Sequence, residues 1–482
     1  MRREQGLIVA AILTAEVCSA LESTMVLAAL HSWIRIYKEP ALVGWVVTSY
    51  LLVAGSTAAI AGRLGDIFGR RRVILCLLAA CGTGSAISAF GNAIEWIIVG
   101  RAVQGLAGGI LPLAYALLRE HLPEDKVPLG VGMVVAAATL SGSLGLLLGG
   151  YLTDTFGPNS VFWASMAWAA LSFTAIVAIV PRGRIGGHVG KVDFAGGLML
   201  CPIIAVVLFG VSNGNQAGWL SPLVLGSIAA GVAGLALWTW HELRVDHPLI
   251  DIRLLGNRSF LFANLILVCC AVGAMQFLQL VSLLLQQPVW TGVGLGLTAT
   301  MLGIVKIPSM VCGTFASLIS GWASGRFGAR SPMLIGSGAA GLGLTLAAFD
   351  HGSIAIIIVV LIVSTMGVTM TYAAIPNAIM TVVPSERTGE ATGLMAVVRS
   401  VSRAVGSQLL MLLLATSVVR EAATDAKFPT DESYTLVLLL MAGLSFLGML
   451  LSLALPKSRG LSGRTVGQKG TPKSGTTSGG AA

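Results

Sequence analysis

Long apolar runs, separated by short polar segments, extend over most of the chain. Glycines, prolines and clusters of charge divide the sequence into fourteen such runs. An α-helix needs about 20 apolar residues to cross the ~30 Å hydrocarbon layer of a bilayer. We therefore predict fourteen membrane-spanning helices, over residues 7–30, 43–62, 73–91, 94–118, 128–151, 160–180, 194–211, 221–240, 260–285, 297–319, 332–349, 353–375, 391–418 and 433–455.

The composition agrees with this pattern and excludes two other classes of protein. Of the 482 residues, 55% are apolar and 11% are charged, and the mean hydropathy is +0.86. A soluble protein carries about 25% charged residues, so these charges are too few to coat a soluble globular protein. Strands of outer-membrane barrels alternate polar and apolar residues over about ten positions, and the runs here are roughly twice that long. We predict an all-α polytopic membrane protein.

The basic residues lie mostly on one side of the predicted helices. With the N-terminus inside, the inner segments hold 22 of the 30 Lys and Arg residues, and the outer segments hold four. Cytoplasmic loops retain such residues, so we predict a multi-pass protein of the cell (inner) membrane with both termini in the cytoplasm. The net charge of +9 then reflects topology and contact with an anionic lipid bilayer, and not binding of nucleic acid.

One sequence pattern occurs twice. Residues 62–72 and residues 321–330 both contain a glycine, small residues, the pair Phe-Gly and then basic residues. The first copy joins predicted helices 2 and 3 and the second joins helices 10 and 11, which fits two six-helix halves with two inserted helices. Parallel six-helix repeats are a known transporter architecture. We predict an N-terminal bundle over 1–181, a linker with two inserted helices over 182–258, a C-terminal bundle over 259–456 and a disordered basic cytoplasmic tail over 457–482.

The first copy resembles the signature loop of the major facilitator superfamily, and the whole pattern resembles that superfamily's fourteen-helix drug:proton antiporter branch. The resemblance implies the major facilitator fold. The signature positions are occupied by Gly62, Asp66, Gly69, Arg70 and Arg71. The segment from Pro248 to Phe260 is also similar to the linker of this branch.

Two further motifs carry the same resemblance. In the fourth run, a motif with an intramembrane arginine is matched by Arg101, Gln104 and Gly105. In the fifth run, the antiporter motif is matched by Gly145, Gly149 and Gly150, with Leu146 in place of its usual proline. Together with Gly142, these glycines are predicted to form one smooth surface on which two helices slide.

Two acids lie in the first run, where an ionisable group is costly and is a functional candidate by default. Glu22 resembles the acid that this branch carries there, which implies that it takes up and releases protons. Glu16, a second coupling candidate, lies about 120° around the helix from Glu22 and ~9 Å along it. It is predicted to line the cytoplasmic vestibule or to neutralise a basic group. Arg101 is always charged and is predicted to influence the protonation of a neighbouring acid.

Asp66 is predicted to be a gate latch at the cytoplasmic end of predicted helix 2. A carboxylate there can pair with a basic neighbour and accept a hydrogen bond from a helix N-terminus. Substrate binding would then break the pairing and change the conformation. The glycines of this loop permit a tight turn and a close approach of helices.

Basic and polar residues within other runs are candidates for a central cavity. Arg399 and Arg403 are four residues apart and share one helix face, so a partner or an aqueous cavity must lie opposite them. Arg399 matches a position that is often basic in the branch, whereas Arg403 replaces a small residue and is predicted to face an anionic substrate. Lys306 is predicted to be a coupling group, a carboxylate-binding group or a residue facing a cavity. The remaining cavity candidates are Gln276, Tyr372 and Asn377.

The resemblance implies a secondary active transporter that exports amphipathic or cationic organic compounds in exchange for protons, by alternating access. The proton gradient is then the energy source, and no cofactor is expected because the chain has no Gly-x-x-x-x-Gly-Lys-Ser/Thr loop for nucleotides. We expect a monomer whose partners are a small-molecule substrate, protons and lipid. No metal site is expected, since the seven cysteines lie in apolar runs without a C-x-x-C pair or a histidine cluster.

Two alternatives stay open at this point. A proton-coupled transporter of one organic anion or metabolite, for uptake or export, is favoured by four cations within the runs against two deep acids. A membrane-embedded enzyme would need a catalytic cluster at the membrane face. His241, Asp246 and His247 form the candidate for such a cluster, and they lie in the segment that resembles the linker. We therefore do not expect an enzyme.

Overall fold

The computed structural model describes the chain in ranges, with gaps between them. The described residues are 3–37, 40–91, 93–182, 199, 202–203, 205–207, 209–210, 213–214, 217–245, 252–297, 299–350, 353–420 and 427–456. The predicted tail over 457–482, together with Asp246 and His247, lies outside these ranges.

Nearly all of the described chain is helical. The helices are α1 Arg3–Tyr37, α2 Pro40–Phe68, α3 Arg70–Phe90, α4 Ile94–Gln104, α5 Ile110–His121, α6 Val127–Phe156, α7 Ser160–Ile179, α8 Pro222–Arg244, α9 Arg258–Val272, α10 Phe277–Gln286, α11 Ala299–Phe327, α12 Arg330–Phe349, α13 Ile354–Met380, α14 Thr388–Leu414 and α15 Asp431–Ala454. Short 3₁₀ turns lie at Gly105–Gly109, Ile252–Gly256, Ala274–Gln276, Val289–Thr291 and Ser385–Arg387. Two short antiparallel strands, β1 Val418–Arg420 and β2 Lys427–Pro429, precede α15.

The helices of the described part give twelve candidate membrane spans, or thirteen if the bent α2 counts as one. Helix α2 bends by 47° between its segments Trp45–Ala58 and Ile60–Phe68. The 3₁₀ turn Gly105–Gly109 joins α4 to α5 as one span, and the turn Ala274–Gln276 joins α9 to α10. Each of these spans coincides with a predicted run, so the chain is a multi-pass membrane protein. The remaining run, 194–211, lies mostly outside the described residues, so the number fourteen stays a prediction.

The two copies of the repeated pattern end their helices in the same way. Gly69 and Gly328 follow the phenylalanines that end α2 and α11, and both adopt the left-handed conformation, with φ of 94° and 81°. Glycine reaches this region without the steric cost that a Cβ brings. In each copy the glycine N–H donates over 3.0 Å to the carbonyl four residues earlier. The Phe-Gly pairs therefore make the tight turns that the sequence predicts.

The helices pack as two halves that meet along two helix pairs. The first half comprises α1–α7 and the second α9–α15, and the halves contact each other mainly through α2 with α14 and α6 with α11. One buried apolar cluster extends across both halves, from Ile12 in α1 to Ile375 in α13. Large apolar side chains remain exposed on the outer faces, as at Leu147 and Leu342, and such faces suit a lipid environment. The predicted domain boundaries themselves remain predictions.

Candidate functional site

A central cavity of about 600 Å³ lies between the two halves. Helices α1, α2, α5 and α6 contribute residues from the first half, and the second half contributes the turn before α10, α10 itself, α13 and α14. The walls combine small residues, hydroxyls, amides and three tyrosines with three charged side chains. Among the described residues that line it, the ionisable aliphatic ones are Glu16, Arg399 and Arg403.

Glu16 is the acid of the cavity. Its side chain is 4% exposed, and its Oε2 atom has no hydrogen-bond partner within the described part of the chain. The Arg399 guanidinium and the ionised Glu16 carboxylate attract each other electrostatically. Tyr115 of α5, fully buried beside this acid, also lines the cavity. The structure therefore places Glu16 on the wall of the central cavity, within electrostatic reach of Arg399. The two roles suggested by the sequence, lining a cytoplasmic vestibule or neutralising a basic group, stay predictions.

Arg399 is held by an aromatic partner. Its Nη1 donates a hydrogen bond to the Tyr372 hydroxyl, and its guanidinium carbon lies 5.5 Å from the centroid of the Tyr372 ring. This second contact lies within the range of a cation–π interaction. Arg399 therefore has a fixed orientation between Tyr372 and the region of Glu16.

Arg403 lies one turn further along α14 and is exposed to the cavity. Its backbone carbonyl accepts a hydrogen bond from Gln276 Nε2 over 3.0 Å, and this amide also donates to the carbonyl of Ala271 over 2.8 Å. Gln276 therefore ties α14 to the 3₁₀ turn before α10 while lining the cavity itself. The Arg403 guanidinium forms no hydrogen bond or ion pair with any residue that the structure describes.

Glu22 lies behind the cavity wall, inside the first half. Its Oε1 accepts hydrogen bonds from Cys81 Sγ over 2.7 Å and from Ser85 Oγ over 3.3 Å, and Gln104 Nε2 lies 3.5 Å away. Glu22 is 1% exposed and does not line the cavity. The separation of six positions turns the two acids about 120° apart on α1. Glu16 therefore faces the other half, while Glu22 faces α3 and α4.

Arg101 connects the surroundings of Glu22 to the cavity wall. Its guanidinium donates to the backbone carbonyls of Val46 over 3.1 Å and of Glu22 over 3.3 Å, and to Gln104 Oε1 over 2.9 Å. The guanidinium also lies 4.1 Å from the ring centroid of Tyr50, a cavity residue. Arg101 thus contacts both the backbone of Glu22 and a residue of the cavity wall.

Asp66 lies where the two halves close against each other. Its Oδ1 accepts from Arg70 Nη2 over 2.9 Å, and its Oδ2 accepts from the backbone N–H of Glu390 over 3.1 Å. Glu390 is in the first turn of α14, so Asp66 caps the N-terminus of a helix of the opposite half. Arg70 also crosses the interface, because its Nη2 donates to the carbonyl of Ser385 over 2.7 Å. We call this region, from Asp66 and Arg70 to Ser385 and Glu390, the closed end.

Other contacts at the closed end involve residues that the sequence analysis missed. Arg119 Nη1 donates to Thr388 Oγ1 over 2.8 Å, and Arg63 forms an ion pair with the buried Glu390 carboxylate over 3.6 Å. An acid directly after Thr-Gly at the start of a predicted helix is a signal of N-terminal capping that could have identified Glu390. Arg71 plays a different part, since it donates to the carbonyl of Val177 over 2.8 Å within the first half.

Glycines at the two copies of the pattern bring the halves into direct backbone contact. A Cβ at Gly62 would overlap the backbone of Gly389 on α14. A Cβ at Gly321, the matching position of the second copy, would lie 3.1 Å from the Cα of Gly132 on α6. In each half, the first glycine of the repeated pattern therefore packs against a glycine of the other half. The α2–α14 and α6–α11 contacts are in this respect approximately symmetric.

Only part of the predicted glycine surface on α6 packs against another helix. Gly145 faces Thr24, and a Cβ at Gly149 would lie 2.7 Å from the Cα of Met25, so α6 packs closely on α1. A Cβ at Gly150 would meet nothing within 4 Å, because this residue is turned about 100° from Gly149 and lies off the packed surface. Gly105 makes a comparable close approach to Val53 of α2.

Two of the predicted cavity residues lie elsewhere. Lys306 Nζ donates to Ser282 Oγ over 2.6 Å and does not line the cavity. Asn377 is buried, and its amide donates to the carbonyl of Ala373 over 3.1 Å within α13. The structure thus brings Gln276, Tyr372, Arg399 and Arg403 together around the cavity, and it separates Lys306 and Asn377 from them.

Among the described residues, one cluster has side chains of the types that ligate metals, although the sequence provides no reason to expect a metal site. Ligating atoms of Cys18, Glu22 and Cys81 lie within 4.8 Å of one another, all fully buried. The thiols are also hydrogen-bonding partners here: Cys81 Sγ is the donor to Glu22, and the two sulfurs are 3.8 Å apart. Protonated thiols account for these contacts within the described residues.

Comparison with known proteins identifies the family. Residues 12–407 match the sequence profile of the Major Facilitator Superfamily. The multidrug resistance protein Stp of Mycobacterium tuberculosis is 29% identical over 374 residues, which cover 77% of this chain and 68% of Stp. The tetracenomycin C resistance and export protein of Streptomyces glaucescens is 27% identical over 409 residues, which cover 83% of this chain and 74% of that protein. The human organic anion transporter MFSD10 has the same fold, with a TM-score of 0.66 at 15% identity over 93% of this chain and 99% of MFSD10. The chain therefore belongs to the major facilitator superfamily of membrane transporters.

Proposed function

We propose that the protein exports small amphipathic organic compounds across the cell membrane in exchange for protons. The observation that carries this proposal is the position of Glu16, a buried carboxyl on the wall of the central cavity, one oxygen of which has no hydrogen-bond partner among the described residues. Relatives named as multidrug resistance and export proteins support the direction and the type of substrate.

The cavity and the closed end together suit alternating access. The cavity lies between the halves, and the contacts of Asp66, Arg70 and Arg119 join the halves at one end. In the proposed topology this end faces the cytoplasm, so the structure corresponds to a state closed to the inside. Rocking of the halves about the α2–α14 and α6–α11 contacts would break the closed-end bonds and expose the cavity to the cytoplasm.

Exchange requires the proton and the substrate to compete for one group. Glu16 can serve as that group because it faces the cavity and is surrounded by Tyr115 of α5 and Arg399 of α14. In its ionised form the carboxylate can bind a cationic or hydrogen-bond-donating part of the substrate. In its protonated form it no longer attracts that part, and substrate leaves. Glu22 and Arg101 do not line the cavity, and their link to it is the contact between Arg101 and the cavity residue Tyr50.

Transport in proteoliposomes tests this proposal. Purified protein is reconstituted with a pH-sensitive dye inside, and uptake of ethidium is followed in vesicles that are acidic inside. We expect the gradient to drive ethidium accumulation with a matching loss of internal protons. Accumulation that does not depend on the gradient would contradict proton exchange, and the absence of any ethidium movement would contradict export of such compounds.

A further inference from the structure

An arginine with no counter-ion among the described residues lies on the cavity wall. Arg403 is exposed to the cavity, and its guanidinium has no hydrogen-bond or ion-pair partner in the described part of the chain. Arg399, one turn away, differs because it donates a hydrogen bond to Tyr372 and interacts electrostatically with Glu16. Basic side chains within membrane-spanning helices are costly and are retained where they bind something. A guanidinium in this position can bind an anionic group.

The charge of the cavity leads to the same conclusion. Its described lining contains one acid, Glu16, and two arginines. The cavity therefore carries a net positive charge even when Glu16 is ionised, and a larger one when Glu16 is protonated. A purely cationic substrate would enter against this charge, whereas an anionic group would neutralise it. An arginine also binds a carboxylate or sulfonate through two parallel hydrogen bonds.

Polar residues extend the binding position along α14. Ser400, Ser407 and Gln408 line the cavity on the same helix as Arg403. Ser407 Oγ donates to Gln279 Oε1 over 3.0 Å, and Gln408 Oε1 has no partner in the described residues. These groups can complete the hydrogen bonds of an anion that is held by Arg403. Glu16, the acid of the cavity, lies on α1 of the other half.

The direction of coupling restricts the substrate further. An anion without any other charge would bind best when Glu16 is protonated, since the ionised carboxylate repels it. Proton and substrate would then move together, in symport. Exchange needs a second group on the substrate that competes with the proton for Glu16, and an ammonium group does this. Both conditions are met by a molecule that carries one charge of each sign.

We propose that the substrate is an amphipathic zwitterion, whose carboxylate or sulfonate is bound by Arg403 and whose ammonium group is directed to Glu16. This rests on the proposed function, because the ammonium group is assigned from proton exchange. The anionic group is assigned from Arg403 itself and does not depend on the direction of transport.

Four charge forms of one scaffold test the assignment. The probes are 3-(1-naphthyl)alanine as the zwitterion, its amide as the cation, its N-acetyl derivative as the anion and its N-acetyl amide as the neutral form. Affinity is measured by calorimetry on the full-length protein in lipid nanodiscs, at one pH and without a gradient. We expect the zwitterion to bind at least about 10-fold more tightly than the amide, as a charge-assisted hydrogen bond to arginine implies.

Substitutions of Arg403 locate the effect. In Arg403→Gln the zwitterion should fall to the affinity of the amide, while the affinity of the amide stays the same or rises. Arg403→Lys keeps the charge and should retain part of the preference, and size-exclusion profiles of both variants report folding. Lys306→Gln is the matched control, since it removes an intramembrane cation outside the cavity, and it should leave the charge preference unchanged.

The outcomes separate this inference from the proposed function. Zwitterion and amide of equal affinity, an unchanged preference in Arg403→Gln, or no binding of any form would overturn the inference. A preference that depends on Arg403, combined with ethidium transport that ignores the pH gradient, would leave the anion site standing and remove proton exchange. Gradient-driven ethidium exchange without an Arg403-dependent preference would do the reverse.

Discussion

The backbone N–H of Glu390 donates a hydrogen bond to Asp66 Oδ2 over 3.1 Å, across the interface between the two halves. Asp66 belongs to the first copy of the repeated pattern, and Glu390 to the first turn of α14. A carboxylate at a helix N-terminus satisfies a free N–H and interacts favourably with the helix dipole. The same carboxylate forms an ion pair with Arg70 of its own half. Asp66 therefore makes one bond within its half and one bond to the other half.

Asp66→Asn should weaken the closed end. The amide can still accept from Glu390, but it loses the ionic partner of Arg70 and the charge that suits the α14 N-terminus. Charged hydrogen bonds contribute about 1.5–3 kcal/mol, so we expect the closed state to lose population and transport to fall at least about 10-fold. Distances between spin labels at positions 72 and 326, which are exposed in opposite halves, would lengthen.

Glu120→Gln is the matched control for this variant. Glu120 contacts Arg70 over 3.5 Å, is more exposed than Asp66 and makes no bond across the interface that the structure describes. It should transport almost normally. Wild-type distances and wild-type transport in Asp66→Asn would show that this carboxylate does not stabilise the closed state and contributes only to membrane topology.

Gly389→Ala should open the same end by steric means. A Cβ at Gly389 would lie 2.8 Å from the carbonyl carbon of Gly62, and neither backbone can move without separating α14 from α2. A cysteine at the buried position Thr392 should then react faster with a water-soluble maleimide, in a background without the exposed Cys76. Gly303→Ala is the control, because its Cβ would meet nothing within 4 Å. Equal labelling rates in the two variants would contradict the close contact.

Gly149→Ala and Gly150→Ala form a neighbouring pair with opposite expectations. The first places a Cβ against the backbone of Met25, and the second meets open space. Overpacking costs about 1–3 kcal/mol, so Gly149→Ala should lower the thermal midpoint in detergent by several degrees. Gly150→Ala should keep the wild-type midpoint. Helix propensity favours alanine over glycine at both positions, so a loss of stability in both variants would contradict an account in which only Gly149 is packed against α1.

The sequence predicts local features of this protein better than distant ones. The Phe-Gly turns at Gly69 and Gly328, and the Asp66–Arg70 pair, are predictable because the residues that make them lie within one short motif. Ser385 and Glu390 are more than 300 positions from their partners, and hydropathy carries no information about such pairs. The spans are predictable because the bilayer requires a minimum apolar length.

The two acids of α1 show why the site was only partly predictable. The hydropathy pattern indicates how far a residue lies within an apolar run, and both acids lie well within the first run. The family resemblance makes Glu22 the stronger candidate for the proton-coupling residue. Whether a residue faces the cavity depends on the rotation of α1 within the bundle, which is decided mainly by its packing against α5, α6 and α7. That packing turns Glu16 to the cavity and Glu22 to Cys81 and Ser85. Lys306, equally unusual in the sequence, is turned to Ser282.

Glu22→Gln should reduce stability more than it reduces coupling. The amide oxygen can still accept from Cys81 and Ser85, but the added NH2 group would take the buried position of Oε2, which has no hydrogen-bond partner among the described residues. An unsatisfied buried donor costs about 1–3 kcal/mol. We expect a lower thermal midpoint with gradient-driven ethidium transport retained. Transport lost at an unchanged midpoint would assign the coupling proton to Glu22.

Proton release on substrate binding tests the central role of Glu16 most directly. Ethidium is added to purified protein in weakly buffered solution, and released protons are counted with a pH indicator for wild type, Glu16→Gln and Glu22→Gln. A neutral glutamine cannot give up a proton, so our account predicts release from wild type and from Glu22→Gln, and none from Glu16→Gln although ethidium can still bind weakly. Proton release at the wild-type level from Glu16→Gln would contradict the assignment of Glu16 as the group that proton and substrate share.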